Sequence, residues 1–112
     1  MKGQGVQQDY ESASHWFRLA SQQGLAVAMH KLAKLYTSGD GVPKDLELAY
    51  VWYSVAVAHK HQKSTTLLTE ARAKLSSQEL VVADQLIGEY LKQYGPKENK
   101  TKDLNNNTAP TQ

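Results

Sequence analysis

The sequence predicts an all-α fold: a short α-solenoid of antiparallel helix pairs, about five helices in all, closed by a C-terminal capping helix. Three observations predict it. GVQQDYESASHWFRLA at 5–20 recurs as GVPKDLELAYVWYSVA at 41–56, without a gap, at an offset of 36 residues (41 − 5). Apolar residues recur at spacings of 3, 4 and 7, the period of a helix face. Gly- and Pro-bearing loops separate the periodic segments. A fixed period defines an architecture. No helix pair buries both faces alone, so neighbours stack.

The identical pairs are Gly5/Gly41, Val6/Val42, Asp9/Asp45, Glu11/Glu47, Ala13/Ala49, Trp16/Trp52 and Ala20/Ala56. Phe17/Tyr53 and Leu19/Val55 match in kind, and Gly3/Gly39 extends the match ahead of the window. With 112 residues and 40% hydrophobic content there is room for one domain with a core. A net charge of +2 argues against a dedicated nucleic-acid binder, which concentrates Lys and Arg far more. The absence of cysteine excludes disulfides and thiolate metal sites. The longest apolar run, AYVWYSVAVA at 49–58, is about half the ~20 residues a membrane span needs. It reads as a helix buried on most sides. The opening MKGQG holds no apolar stretch, so no secretory leader is expected.

In order along the sequence, residues 1–8 are expected to form a Gly- and Gln-rich loop. Asp9 is expected to cap a first helix running to about Gln23, its carboxylate accepting from free N–H groups of the first turn. Ala13, Trp16, Phe17 and Ala20 share its inner face, and Gly24 ends it in the left-handed conformation. A second helix covers about 26–37, with Ala28, Met29, Leu32, Leu35 and Tyr36 as its stripe. SGDGVPKD is the next loop. Asp45 caps a third helix to about His59, whose inner face is Ala49, Trp52, Tyr53 and Ala56. A fourth covers about 64–75. SSQE at 76–79 is a capping-box pattern opening a fifth helix, 77–94, with Leu80, Ala83, Leu86, Ile87, Tyr90 and Leu91 as its stripe. Gly95-Pro96 stops it. Residues 1–94 thus form the solenoid. The Asn-rich segment 95–112 is expected to be a disordered polar tail, too poor in apolar surface to offset its ordering entropy.

The string Gly39-Asp40-Gly41-Val42, Asp45, Ala49, Trp52-Tyr53, Ala56, preceded by Ala26, Ala28, Leu32-Ala33 and Leu35-Tyr36, resembles the Sel1-like repeat, a relative of the tetratricopeptide repeat. The resemblance covers about residues 3–75, and 70–94 resembles the closing helices of bacterial proteins of that kind. Departures lie in the second copy. Lys60 stands where a Gly is expected, Gln62 and Ser64 where Ala is expected, and Ala71-Arg72 where Leu-Tyr is expected. The first copy lacks its leading helix. The sequence is either a fragment of a longer solenoid or a short gene carrying one complete repeat.

The repeated Ala, Trp and Gly positions are assigned to packing: Ala lets helices approach, Trp fills the gap between layers, and Gly3, Gly5, Gly39 and Gly41 permit loop angles. Function is then sought at positions the repeat leaves free. The resemblance implies that the first helix of each pair lines a concave groove. That places Val27, His30, Lys34 and Thr37 on the groove face, and the period adds Lys63, Thr66, Glu70 and Ala73. The set is mildly basic and would suit an acidic peptide or the terminal carboxylate of a polypeptide, held by charge-assisted hydrogen bonds.

The expected function is a protein–protein interaction module, an adaptor or scaffold whose partner is a protein or peptide. The alternative implied by the resemblance is an enzyme or binder acting on cell-wall fragments or β-lactam compounds. No nucleophile–base pair supports catalysis, so no enzyme is expected. A third reading has the N-terminal helix docking on preceding repeats or self-associating. No cofactor and no metal are expected. His59 and His61 at i, i+2 spacing point apart on a helix. His15 and His30 stand alone and read as surface residues. GDGVP lacks the Lys-Ser/Thr of a phosphate loop. Asn99 and Asn106 match glycosylation acceptors within a tail of biased composition.

Overall fold

The structure is a computed structural model that describes the backbone of residues 2–96, with side-chain surroundings from residue 9 onward. The expected polar tail and its acceptor asparagines therefore lie outside the described residues. Five helices follow one another: α1 (Lys2–Gln22), α2 (Ala26–Ser38), α3 (Leu46–Ala58), α4 (Ser64–Ala73) and α5 (Ser77–Tyr94). No strand occurs among the described residues. The all-α short solenoid is what the period implied.

The helix ends follow local chemistry. The Asp45 carboxylate accepts from the Leu48 N–H at 3.0 Å and opens α3. Ser76 and Glu79 form a complete capping box, the Ser76 hydroxyl accepting from the Glu79 N–H and the Glu79 carboxylate from the Ser76 N–H. Gly24 and Gly39 end α1 and α2 at φ 91° and 79°. One period after Gly24 stands Lys60, a non-glycine residue in the same region at φ 69°. A left-handed L-residue costs about 1–2 kcal/mol. Lys60→Gly is therefore expected to stabilise the fold by about 1 kcal/mol, read as a rise in the urea midpoint at unchanged slope.

Three expectations for α1 are corrected. The helix begins at Lys2, so residues 2–8 are not a loop, Gly3 and Gly5 lie inside it, and Asp9 caps nothing. The loop at 39–45 exists because α2 ends there: the Gly39 N–H bonds the Leu35 carbonyl and the Asp45 N–H bonds the Tyr36 carbonyl. Pro43, which cannot continue a helix ladder, reinforces it. Residues 3–9 are the positions that match this loop one period earlier. Their position matching Pro43 is Gln7, a good helix former. The third correction is Trp16, which faces solvent at 71% exposure while Trp52 is 4% exposed. α1 turns Ser14, Phe17 and Ser21 toward α2, and Trp16 lies on its opposite side.

The core centres on α3, which packs against α2, α4 and α5. Ala49, Val51, Val55 and Ala56 are fully buried there, and Met29, Leu32 and Ala33 are fully buried on α2. α5 lies across α3 and barely touches α4, its neighbour in sequence. An aromatic cluster makes that crossing. Tyr90 meets Trp52 edge-on at 5.0 Å, and Tyr94 stacks on Trp52 at 5.5 Å. Tyr50 joins the two otherwise separate helices. Its hydroxyl donates to Asp84 of α5 at 3.0 Å and accepts from Arg72 of α4 at 3.0 Å. Burial pushes the Tyr50 phenol up, the Asp84 carboxylate adds to the rise, and Arg72 opposes it.

Candidate protein-binding face

The positions that the repeat leaves free follow from what it consumes. Ala28, Met29, Leu32, Ala33, Leu35 and Tyr36 of α2 are buried. Val27 and Lys34 are exposed between them, and His30 and Thr37 are half-buried. On the far side of the 59–63 turn, Lys63, Thr66, Glu70 and Ala73 are exposed.

These residues do not form one continuous row. Thr37 and Glu70 line a small cleft between α2 and α4, floored by Tyr53 and Leu67. Burial pushes the Tyr53 phenol up, the nearby Thr37 hydroxyl pulls the other way, and the Glu70 charge adds to the rise. Lys34 lines a different cleft, on the α1 side of α2, with Tyr10, Phe17 and Lys31.

His30 is corrected from an isolated surface residue. Its ring stacks on His61 at 5.0 Å, with 10° between planes, and meets Tyr53 edge-on at 5.7 Å. Its Nδ1 pairs with the Ser64 hydroxyl at 2.7 Å, and Ser64 is fully buried. Burial lowers the His30 pKa below its ordinary 6.5, and the positive neighbourhood of His61, Lys34, Lys31 and Lys63 lowers it further. His30 therefore clasps the start of α4 to α2. The left-handed turn at Lys60, in the place that Gly24 holds one period earlier, brings His61 back over α2. His59, the other histidine of HKH, donates from Nε2 to the Tyr94 carbonyl at 2.7 Å and ties α3 to the end of α5. Among the described residues no three His, Cys, Asp or Glu side chains gather as a metal site, and no helix is long and apolar enough to cross a membrane.

The repeat period, the Gly39–Asp45 loop and the buried Ala49/Trp52/Tyr53/Ala56 face find their counterpart among known proteins. The Sel1 repeat family model matches residues 1–25 and 26–61. The chain belongs to the Sel1 repeat family. It is similar to the alginate biosynthesis protein AlgK of Azotobacter vinelandii, 37% identical over 68 residues, which is 61% of this chain and 15% of the relative. Among solved structures it resembles c5321, a protective antigen of uropathogenic Escherichia coli with an SLR fold. That likeness has TM-score 0.77 and 31% identity, over 86% of this chain and 21% of the other. The chain thus spans about a fifth or less of these relatives. Sel1 repeats and the SLR fold generally serve as protein–protein interaction modules.

Proposed function

We propose that this Sel1 unit acts as an adaptor, binding a protein or peptide segment along the face built from α2, the 59–63 turn and α4. Val27, His30, Lys34, Thr37, Lys63, Thr66 and Glu70 are its contact residues. One observation carries the reading: the repeat buries Ala28, Met29, Leu32, Ala33, Leu35 and Tyr36 of α2, while these stay open to solvent or half so. Three lysines, Lys31, Lys34 and Lys63, surround the His30–His61 pair, and Glu70 is the single acid of the contact set. That balance favours an acidic segment, whose carboxylates would accept charge-assisted hydrogen bonds from the lysines. His30 contributes mainly by holding α4 in place, so the recognition test leaves it intact.

The test is affinity capture with the wild type beside Lys34→Glu/Lys63→Glu. Both side chains are exposed, so the variant is expected to melt within a degree or two of the wild type. A protein held by the wild type and lost by the folded variant is the expected result. Identical capture by both would overturn this face as the binding surface.

A further inference from the structure

The first turn of α4 is tied to α2 by a pair of histidines and little else. α4 is the shortest of the five helices, with 10 residues, and only Ser64 and Ala71 of it are buried. No side chain caps its N-terminus. It packs on α3. Among the described residues its one side-chain hydrogen bond to α2 is the 2.7 Å contact of the buried Ser64 hydroxyl with Nδ1 of His30. His61, in the turn ahead of α4, stacks on the His30 ring at 5.0 Å with 10° between planes. A helix with so few buried residues belongs to the least stable part of a fold.

The surroundings of the stack favour neutral rings. The charges acting on His30 are all positive: Lys31 and Lys34 from its own helix, His61 from the turn, and Lys63 at the start of α4. α3 contributes the Tyr53 ring, edge-on at 5.7 Å. Glu70 lies six residues along α4 from Ser64 (70 − 64) and acts on Tyr53 instead. A positive charge on either ring also sits near the N-terminus of α4, the end of a helix that disfavours cations. His61 adds a second obstacle. Its Nδ1 is buried without a hydrogen-bond partner. An imidazolium carries an N–H at both nitrogens, so a charged His61 would bury an N–H that nothing accepts.

We propose that the His30–His61 stack is an acid-sensitive joint: protonation of the pair frees the first turn of α4 from α2, while α2, α3 and α5 stay packed. Burial, then the positive neighbours, hold the His30 pKa below its ordinary 6.5. Above pH 6.5 His30 is neutral whether α4 is held or released, and the joint keeps its full strength. As the pH falls through 6.5, the released state takes up a proton that the held state refuses. Release therefore grows until the held state also charges, by up to about tenfold per pH unit for one histidine. The joint is a property of this chain alone. Only its consequence for recognition, that acid uncouples the two sides of the binding face, rests on the function proposed above.

Native-state hydrogen exchange of the full-length protein, with intrinsic rates divided out, reads the joint. Between about pH 7.5 and about pH 5.5, protection of the α4 amides should fall about tenfold, while α2 and α3 amides change by less than about twofold. The comparison is His30→Asn/His61→Phe. Its amide keeps a partner for Ser64, its flat ring keeps the stack, and neither takes up a proton. The variant should lose the pH dependence although His15 and His59 remain. Ring NMR supplies a reading that needs no change to the pair. His30 should titrate below 6.5, and Lys63→Gln, which removes one facing charge, should move its midpoint up. Four results would overturn the proposal: constant α4 protection in the wild type, an equal fall in the double variant, a loss shared equally by all the helices, or a His30 midpoint at or above 6.5. A failure of the α4 face instead shows as unchanged partner capture by Lys34→Glu/Lys63→Glu at neutral pH, with the acid response of α4 intact.

Discussion

Trp52→Ala should cost about 3–5 kcal/mol, while Trp16→Ala should change stability by less than about 0.5 kcal/mol. The two tryptophans hold the same position in the repeat, 36 residues apart (52 − 16). Trp52 is nearly sealed, with Tyr90 edge-on and Tyr94 stacked on it. Removing it leaves a cavity that α3 cannot close, and it strips α5 of its main aromatic contact. Since α5 barely touches α4, loss of that contact frees most of the C-terminal helix. A domain of this size holds about 5–15 kcal/mol in total, so the variant should sit at or near the edge of folding. Trp16 has no such cover, and alanine is the better helix former. Urea unfolding of both variants, followed by circular dichroism, reads the contrast. Equal losses would mean that α1 is packed through Trp16 after all.

Gly41→Ala should cost roughly 2–5 kcal/mol, combining a left-handed backbone with overpacking. Gly41 has φ 77°, and a Cβ built on it would collide with the carbonyl carbon of Tyr10 and lie 2.5 Å from its oxygen. The obstacle is the backbone of α1, which cannot rotate away as a side chain could. Gly88 supplies the internal contrast. It lies within α5, and a Cβ there would meet nothing within 4 Å, so Gly88→Ala should gain about 0.5–1 kcal/mol. Paired melts of the two variants should move in opposite directions. A harmless Gly41→Ala would mean that the loop after α2 does not press on α1.

The period, the caps and most of the core were legible in the sequence because each depends on local pattern. Asp45, the Ser76/Glu79 box and Gly24 need only their own turn to act. Ala49, Trp52, Tyr53 and Ala56 are inward because the same stripe occurs twice. The misses share a cause: they depend on what lies beside an element in space. Residues 3–9 match the loop at 39–45 in sequence, but Gln7 in place of Pro43 lets α1 continue. Trp16 matches Trp52, but among the described residues no aromatic helix lies over it. His30 and His61 are paired by a backbone turn at Lys60 that the repeat pattern assigns to glycine. The crossing of α5 over α3 rests on how Tyr90 and Tyr94 fit Trp52, which no helical stripe specifies. For the binding face, the sequence supplied which residues are spared by the repeat. It did not reveal that Lys34 and Thr37 open into different clefts.

The central claim is that one packing surface is repeated along this Sel1 protein and is covered in one copy and open in the other. Acrylamide quenching of tryptophan fluorescence tests it most directly, on the wild type and on Trp16→Phe, which leaves Trp52 as the sole tryptophan. The repeat reading predicts blue-shifted, weakly quenched emission from Trp52. The Trp16 contribution, obtained by difference, should be red-shifted and freely quenched. A protected Trp16, or a Trp52 as open to quencher as Trp16, would contradict it.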